Sequence, residues 1–193
     1  MENHIQSNFV RWCITLTALA FSSMAYAHPG HAMAGLVHPF LGIDHLLAMV
    51  AVGVWASQLG GRARWMLPAS FVAIMGLSGS IGIAGVALPM VESGIATSVL
   101  LLGLLIAFSV KMKPVLGAGL IGLFAVFHGY AHGVEMPGLS TPWQYGIGFM
   151  LATAVLHGIG LLLGSGMHHQ RALWFRAIGA LLITSGTWMV ATI

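Results

Sequence analysis

From residue 36 onward the chain runs as six apolar stretches of about 20 residues, near 36–58, 67–88, 92–110, 114–134, 142–164 and 173–193. A stretch of that length crosses the roughly 30 Å of bilayer hydrocarbon as one helix. The connections are short and carry the helix breakers: Gly60-Gly61, Leu88-Pro89, Lys111 to Pro114, Pro137 to Pro142 and Gly164 to Gln170. No room remains for a soluble domain. Composition agrees, since only 6% of residues are charged and 58% are hydrophobic, whereas an ordinary soluble domain carries roughly 25% charge. A soluble enzyme, a disordered chain and a coiled coil are all excluded. The expected fold is an all-α membrane protein with six transmembrane helices.

The residues before the first stretch read as a cleaved signal peptide, 1–27. Arg11 is a short basic region, Trp12 to Phe21 is an apolar core too short to span, and Ala25-Tyr26-Ala27 supplies the small-x-small cleavage pattern. Cys13, the only cysteine, leaves with the signal, which excludes a disulfide framework and a cysteine-built zinc site. The mature transmembrane domain, 28–193, then begins outside. Six spans place the loops at 59–66, 111–113 and 165–172 inside, and these carry Arg62, Arg64, Lys111, Lys113 and Arg171, with Arg176 just within the last span. That is the distribution the positive-inside rule demands. Both mature termini are expected on the outer side of the membrane. Trp65, Trp143, Trp174 and Trp188 fall near the expected interfaces, where indole rings prefer to sit. The few scattered cations make no basic patch, so nucleic acid is not an expected partner.

Small residues recur where helices would pack. Gly76, Gly79, Gly82 and Gly85 come every third residue in the second span; Gly129 with Gly133 and Gly160 with Gly164 form small-xxx-small pairs.

Ionisable side chains within spans are costly and mark function by default. Two clusters stand out among the ten histidines. In His38-Pro39-Phe40-Leu41-Gly42-Ile43-Asp44-His45, Pro39 suits a first helical turn, and His38 and His45 are seven apart on one expected helical face. Asp44 is then expected roughly 12 Å below the outer end of the span. Met49, one turn after His45, is read as core packing by a flexible thioether. In Phe127-His128-Gly129-Tyr130-Ala131-His132-Gly133-Val134-Glu135, His128, His132 and Glu135 sit at i, i+4 and i+7, again on one face. Given the expected orientation of the first and fourth spans, both clusters occupy the outer half of the membrane. His38, Asp44, His45, His128, His132 and Glu135 can therefore converge as a nitrogen and oxygen site for a divalent transition metal. Imidazole suits zinc, copper, iron and nickel. Binding requires the neutral ring, so affinity should fall as pH drops through the histidine range. Secondary pathway candidates are His28 and His31 at the mature amino terminus, His157 deeper in the fifth span, and His168 and His169 in the last inner loop.

With both motifs in view, the sequence resembles the HupE/UreJ family of nickel permeases. The pattern of His, five residues and Asp-His matches His38 to Asp44-His45, and Phe-His-Gly-x-Ala-His-Gly-x-Glu matches Phe127 through Glu135. A cleaved signal followed by His28-Pro29-Gly30-His31 is also typical of it. The resemblance covers the whole mature chain. It implies a bacterial inner-membrane secondary permease for nickel, sometimes cobalt, supporting hydrogenase or urease maturation. It also implies that His38, Asp44, His45, Phe127, His128, His132 and Glu135 carry function. The metal is then substrate, no resident cofactor is expected, and the partners are the ion and the bilayer, with a homo-oligomer compatible. Absence of a Gly-x-x-x-x-Gly-Lys motif excludes ATP hydrolysis by the Walker route.

Other readings stay open at this stage. Histidines with carboxylates also serve proton relays. Gly76-Leu77-Ser78-Gly79 with His157 and Gly160 resembles a rhomboid-type serine protease motif, but in the second and fifth spans rather than the fourth and sixth. Histidines on two helices could instead hold haem or a metal that is not transported.

Overall fold

The apolar runs fold as helices in a computed structural model that describes residues 31–138, 140–166 and 171–193. The expected signal peptide, with His28, lies outside the described residues, as do His168 and His169. Among the described residues there are seven α-helices: α1 (His31–Val37), α2 (Ile43–Leu59), α3 (Ala63–Ile83), α4 (Val91–Ala107), α5 (Pro114–Val134), α6 (Pro142–Ser165) and α7 (Arg171–Thr192). A 3-10 turn, His38–Phe40, joins α1 to α2. No strand occurs among the described residues. Among the described residues four helices, α3, α5, α6 and α7, are long and apolar enough to cross a membrane. The bent pair α1–α2 passes the same test when taken together, and α4 is a shorter apolar helix.

The first apolar stretch departs from the expected single rod. It bends by 83° between Ala32–Phe40 and Ile43–Leu59. Pro39 opens a 3-10 turn rather than the long helix, and Gly42 takes an extended conformation (φ −95°, ψ 117°) as the N-cap of α2. Asp44 therefore sits in the first turn of α2, not two turns down a continuous helix. There the positive end of the helix dipole favours its carboxylate.

Two other helices end earlier than expected, for local reasons. α3 stops at Ile83 because Gly85 adopts φ +73°, with Gly85 N–H donating to Gly82 O and Val86 N–H to Ile81 O. This is the Schellman pattern that satisfies the last carbonyls. Gly85 is thus a turn residue and not part of the packing stripe. α4 stops at Ala107 through the same pattern with Ser109 at φ +51°. Gln58 Nε2 of α2 steadies that turn by donating to Ser109 Oγ at 2.9 Å.

The remaining glycines pack as expected. The most extensive pairings are α3 with α5, α4 with α7, and α2 with α6, followed by α1 with α6. On the α3–α5 seam, a methyl group on Gly129 would overlap the Met75 carbonyl, and one on Gly133 would overlap that of Gly79. On the α2–α6 seam, Gly53 and Gly160 each meet the other helix's backbone. These contacts let the histidine-bearing faces of α2 and α5 approach a common centre.

The loops sort by charge. Lys111 Nζ donates to Gln58 O at 3.3 Å, so the α4–α5 loop meets the end of α2. Arg64 faces Ser165 at the end of α6. The basic loops thus gather at one end, here the basic end. Trp65, Trp143, Trp174 and Trp188 are all exposed, and each lies within a turn or so of a helix terminus.

Candidate metal centre

The 3-10 turn, the start of α2, the last turns of α5 and the start of α6 meet at the end opposite the basic loops. His38 Nε2 donates to Glu135 Oε2 at 2.8 Å, tying the turn to the cap of α5. This hydrogen bond holds the Glu135 carboxyl below the usual carboxylate range. His132 lies one turn before Glu135, its ring 5.0 Å from that of His38 and 4.5 Å from that of His45. Facing ligand atoms of His38, His132 and Glu135 all lie within 4.8 Å of one another. Bonds of about 2.0–2.2 Å to nitrogen and oxygen hold ligand atoms no more than roughly 4.4 Å apart. A few tenths of an ångström of side-chain movement would close the triad on a divalent ion.

Asp44 is brought to the same place but faces His45. Its Oδ1 accepts both the His45 backbone N–H at 2.8 Å and Nδ1–H at 2.9 Å. The Nδ1 proton fixes the tautomer, and His45 Nε2 is left with its lone pair, buried and without a protein partner. A carboxylate that orients an imidazole in this way is the usual support behind a metal ligand. Gly42 makes room for it: a Cβ there would stand 2.8 Å from Asp44 Oδ1 and 3.3 Å from His45 Nδ1.

His128 is fixed by a different device. Ser98 of α4 donates its single hydroxyl proton to Ile95 O at 2.7 Å. Its oxygen, 2.9 Å from His128 Nε2, must therefore accept from that nitrogen. His128 Nδ1 then carries the lone pair and is likewise buried without a partner. Neither ring nitrogen of His132 has a partner. His132 stacks instead on Phe149, with centroids 5.2 Å apart, and Tyr145 of α6 closes over His38 at 5.8 Å.

Exposure falls steadily from the end of the bundle inwards. Glu135 is 47% exposed and His38 22% at the side chain, while His132 and His128 are at 0%. His45, at 5.0 Å from the His128 ring, bridges the two levels. Each buried polar group left unpaired costs about 1–3 kcal/mol. A run of imidazoles with bare nitrogens is therefore an expensive way to fill a core, and cations are what such nitrogens bind.

The expected site residues thus divide. His38, His132 and Glu135 form the open triad, His45 and His128 continue it inwards, and Asp44 supports His45. Phe127 is half-buried and lies over Gly94 of α4. His157 is buried deeper on α6, and His31 begins α1. Sequence reasoning missed Ser98, Phe149, Tyr145 and Phe71, whose ring lies 5.5 Å from that of His128. Ser98 alone had a signal, a hydroxyl in the middle of an apolar run.

Two alternative readings lose their geometry. Ser78 Oγ donates to Val126 O on α5, and His157 Nδ1 donates to Met49 O, so the two do not form a nucleophile–base pair. The rings of His45, His128 and His132 touch edge-on at 4.5–5.0 Å, which leaves no room for a porphyrin between them.

A family profile described as HupE / UreJ protein matches residues 16–189. The chain is 53% identical over 155 residues to a protein of Rhizobium leguminosarum bv. viciae named Protein HupE, covering 78% of this chain and 81% of that one. No solved structure matches it.

Proposed function

Because the chain belongs to the HupE/UreJ family, we propose that it is not an enzyme but a secondary permease that imports a divalent transition-metal ion, nickel first and cobalt next, across a bacterial inner membrane. In this reading the bent α1–α2 pair and α4 complete six spans with the four long helices, following a cleaved signal peptide. The basic end faces the cytoplasm and both mature termini face the periplasm. The observation that carries the reading is the His38–His132–Glu135 triad at the exposed end of a buried histidine run.

A hydrated dication is first drawn by the Glu135 carboxylate, which is half-exposed and kept ionised by His38. The ion replaces the proton held between His38 and Glu135, which passes to water at this exposed end of the site, and imidazole nitrogens replace the ion's waters. His45 and His128 present their bare nitrogens further in, so the ion moves between partial sites rather than settling in one cage. Moderate, successive binding is what conduction requires. The membrane potential favours entry of a dication by about 4.6 kcal/mol per 100 mV, twice the single-charge value, so inward flow needs no nucleotide.

The test is uptake of radioactive nickel at limiting concentration by cells expressing the chain, with cobalt, zinc and copper as competitors. Saturable nickel uptake, competed best by cobalt, is expected. Uptake no greater than in cells lacking the chain would overturn the permease reading.

A further inference from the structure

Beyond His128 the core holds donor atoms that the triad does not use. His157 of α6 is 1% exposed, and its Nδ1–H donates to the Met49 carbonyl of α2 at 2.7 Å. That bond leaves the lone pair on Nε2, which is buried without a protein partner. One turn earlier, the Thr153 hydroxyl points to two thioethers, Met49 Sδ at 3.3 Å and Met75 Sδ of α3 at 3.6 Å. Two sulfurs from α2 and α3 thus share one hydroxyl of α6, one turn from an imidazole that is itself bonded to the backbone of Met49, and Met49, Met75 and Thr153 are at 0% exposure. Phe71 stands between this group and the histidines above, its ring 5.0 Å from His157 and 5.5 Å from His128.

Core packing explains part of this. Methionines fill irregular gaps, and a buried histidine often bonds a carbonyl. It does not explain His157 Nε2, since a leucine would fill the same space without a stranded lone pair. Nor does packing need two sulfurs turned to one hydroxyl. A ring held by a carbonyl bond at Nδ1, with Nε2 free, has the arrangement of a metal-ligating histidine.

We propose that His157 Nε2, Met49 Sδ and Met75 Sδ form an inner transit site for a divalent ion of intermediate softness, with Thr153 orienting the sulfurs. The proposal rests on the permease reading and adds a selectivity step to it. The triad offers nitrogen and a charged oxygen; the inner site offers nitrogen and neutral sulfur. Hard ions such as manganese and magnesium prefer the first kind of donor and are disfavoured by the second. An ion admitted by charge is thus sorted by softness past Phe71. The inner donors carry no charge, so the ion can leave.

The test uses the full chain in lipid nanodiscs with nickel(II) as probe, in a His38→Ala/Glu135→Ala background that removes the triad. Nickel-edge X-ray absorption should show sulfur scattering, and adding Met49→Leu with Met75→Leu should abolish it. These replacements conserve volume and preserve the fold. His157→Gln should lose the same bound ion. In the otherwise native chain, the methionine pair exchanged for leucine should let excess manganese(II) suppress nickel uptake that the native chain sustains. Nickel bound through nitrogen and oxygen alone, with unchanged resistance to manganese in the leucine variant, would overturn the inner site while native uptake still supported the permease. Absence of native uptake would overturn the permease reading and the transit role with it, and the sulfur signal alone would then decide whether the chain binds metal there.

Discussion

Asp44 holds His45 in place: one carboxylate oxygen accepts both a backbone and a ring N–H of that residue. Loss of such a supporting carboxylate typically costs 10–100-fold in metal affinity or activity. Asp44→Asn should therefore lower nickel uptake at limiting concentration by about 10–100-fold, with the protein still present in the membrane. Asp44→Ala, which also empties the position at the start of α2, should reduce it further. Ser98→Ala removes the acceptor that fixes His128. Nitrogen-15 chemical shifts of that ring should move from a single Nε2–H tautomer towards a mixture, which a purely space-filling serine would not produce. Residue types and spacing in the sequence pointed to all of these histidines and carboxylates. They did not show which nitrogen His128 presents, because that depends on Ile95 O and Ser98 Oγ, which lie outside both motifs.

Among the helices, the informative departures are at ends and bends. The apolar runs located α2 to α7 but not α1, which lies ahead of the first expected span, and Pro114 and Pro142 marked the starts of α5 and α6 as expected. The 83° bend at Phe40–Ile43 was hidden because the stretch stays apolar through it. Hydropathy senses the solvent and is blind to the extended conformation of Gly42. The ends of α3 and α4 were misplaced for the same reason, since a left-handed residue terminates each while the apolar run continues. Two predictions belong here. Gly160→Val forces a side chain into the backbone of α2 and should destabilise the chain by about 1–3 kcal/mol, seen as a lowered unfolding midpoint in detergent. Gly138→Val, where nothing lies within 4 Å, should leave it unchanged. Gly42→Val crowds Asp44 and His45 and should reduce uptake by more than it lowers the unfolding midpoint.

Across the whole molecule, two polarities run between the same ends. Basic side chains gather at one end, tied together by Lys111 and Gln58. The carboxylate and histidines open at the other and become buried towards the middle. The orientation this implies can be checked in intact cells with an impermeant thiol reagent. Pro137→Cys should be labelled from outside, and Phe108→Cys, at a position 74% exposed by the basic end, only after the membrane is opened. The central claim is that the triad captures the ion, and the most direct measurement is uptake of radioactive nickel by His132→Gln at matched membrane abundance. Uptake at limiting nickel should fall to the level of cells lacking the chain while Gly138→Val matches the native chain. Uptake by His132→Gln equal to native at limiting nickel would contradict the claim.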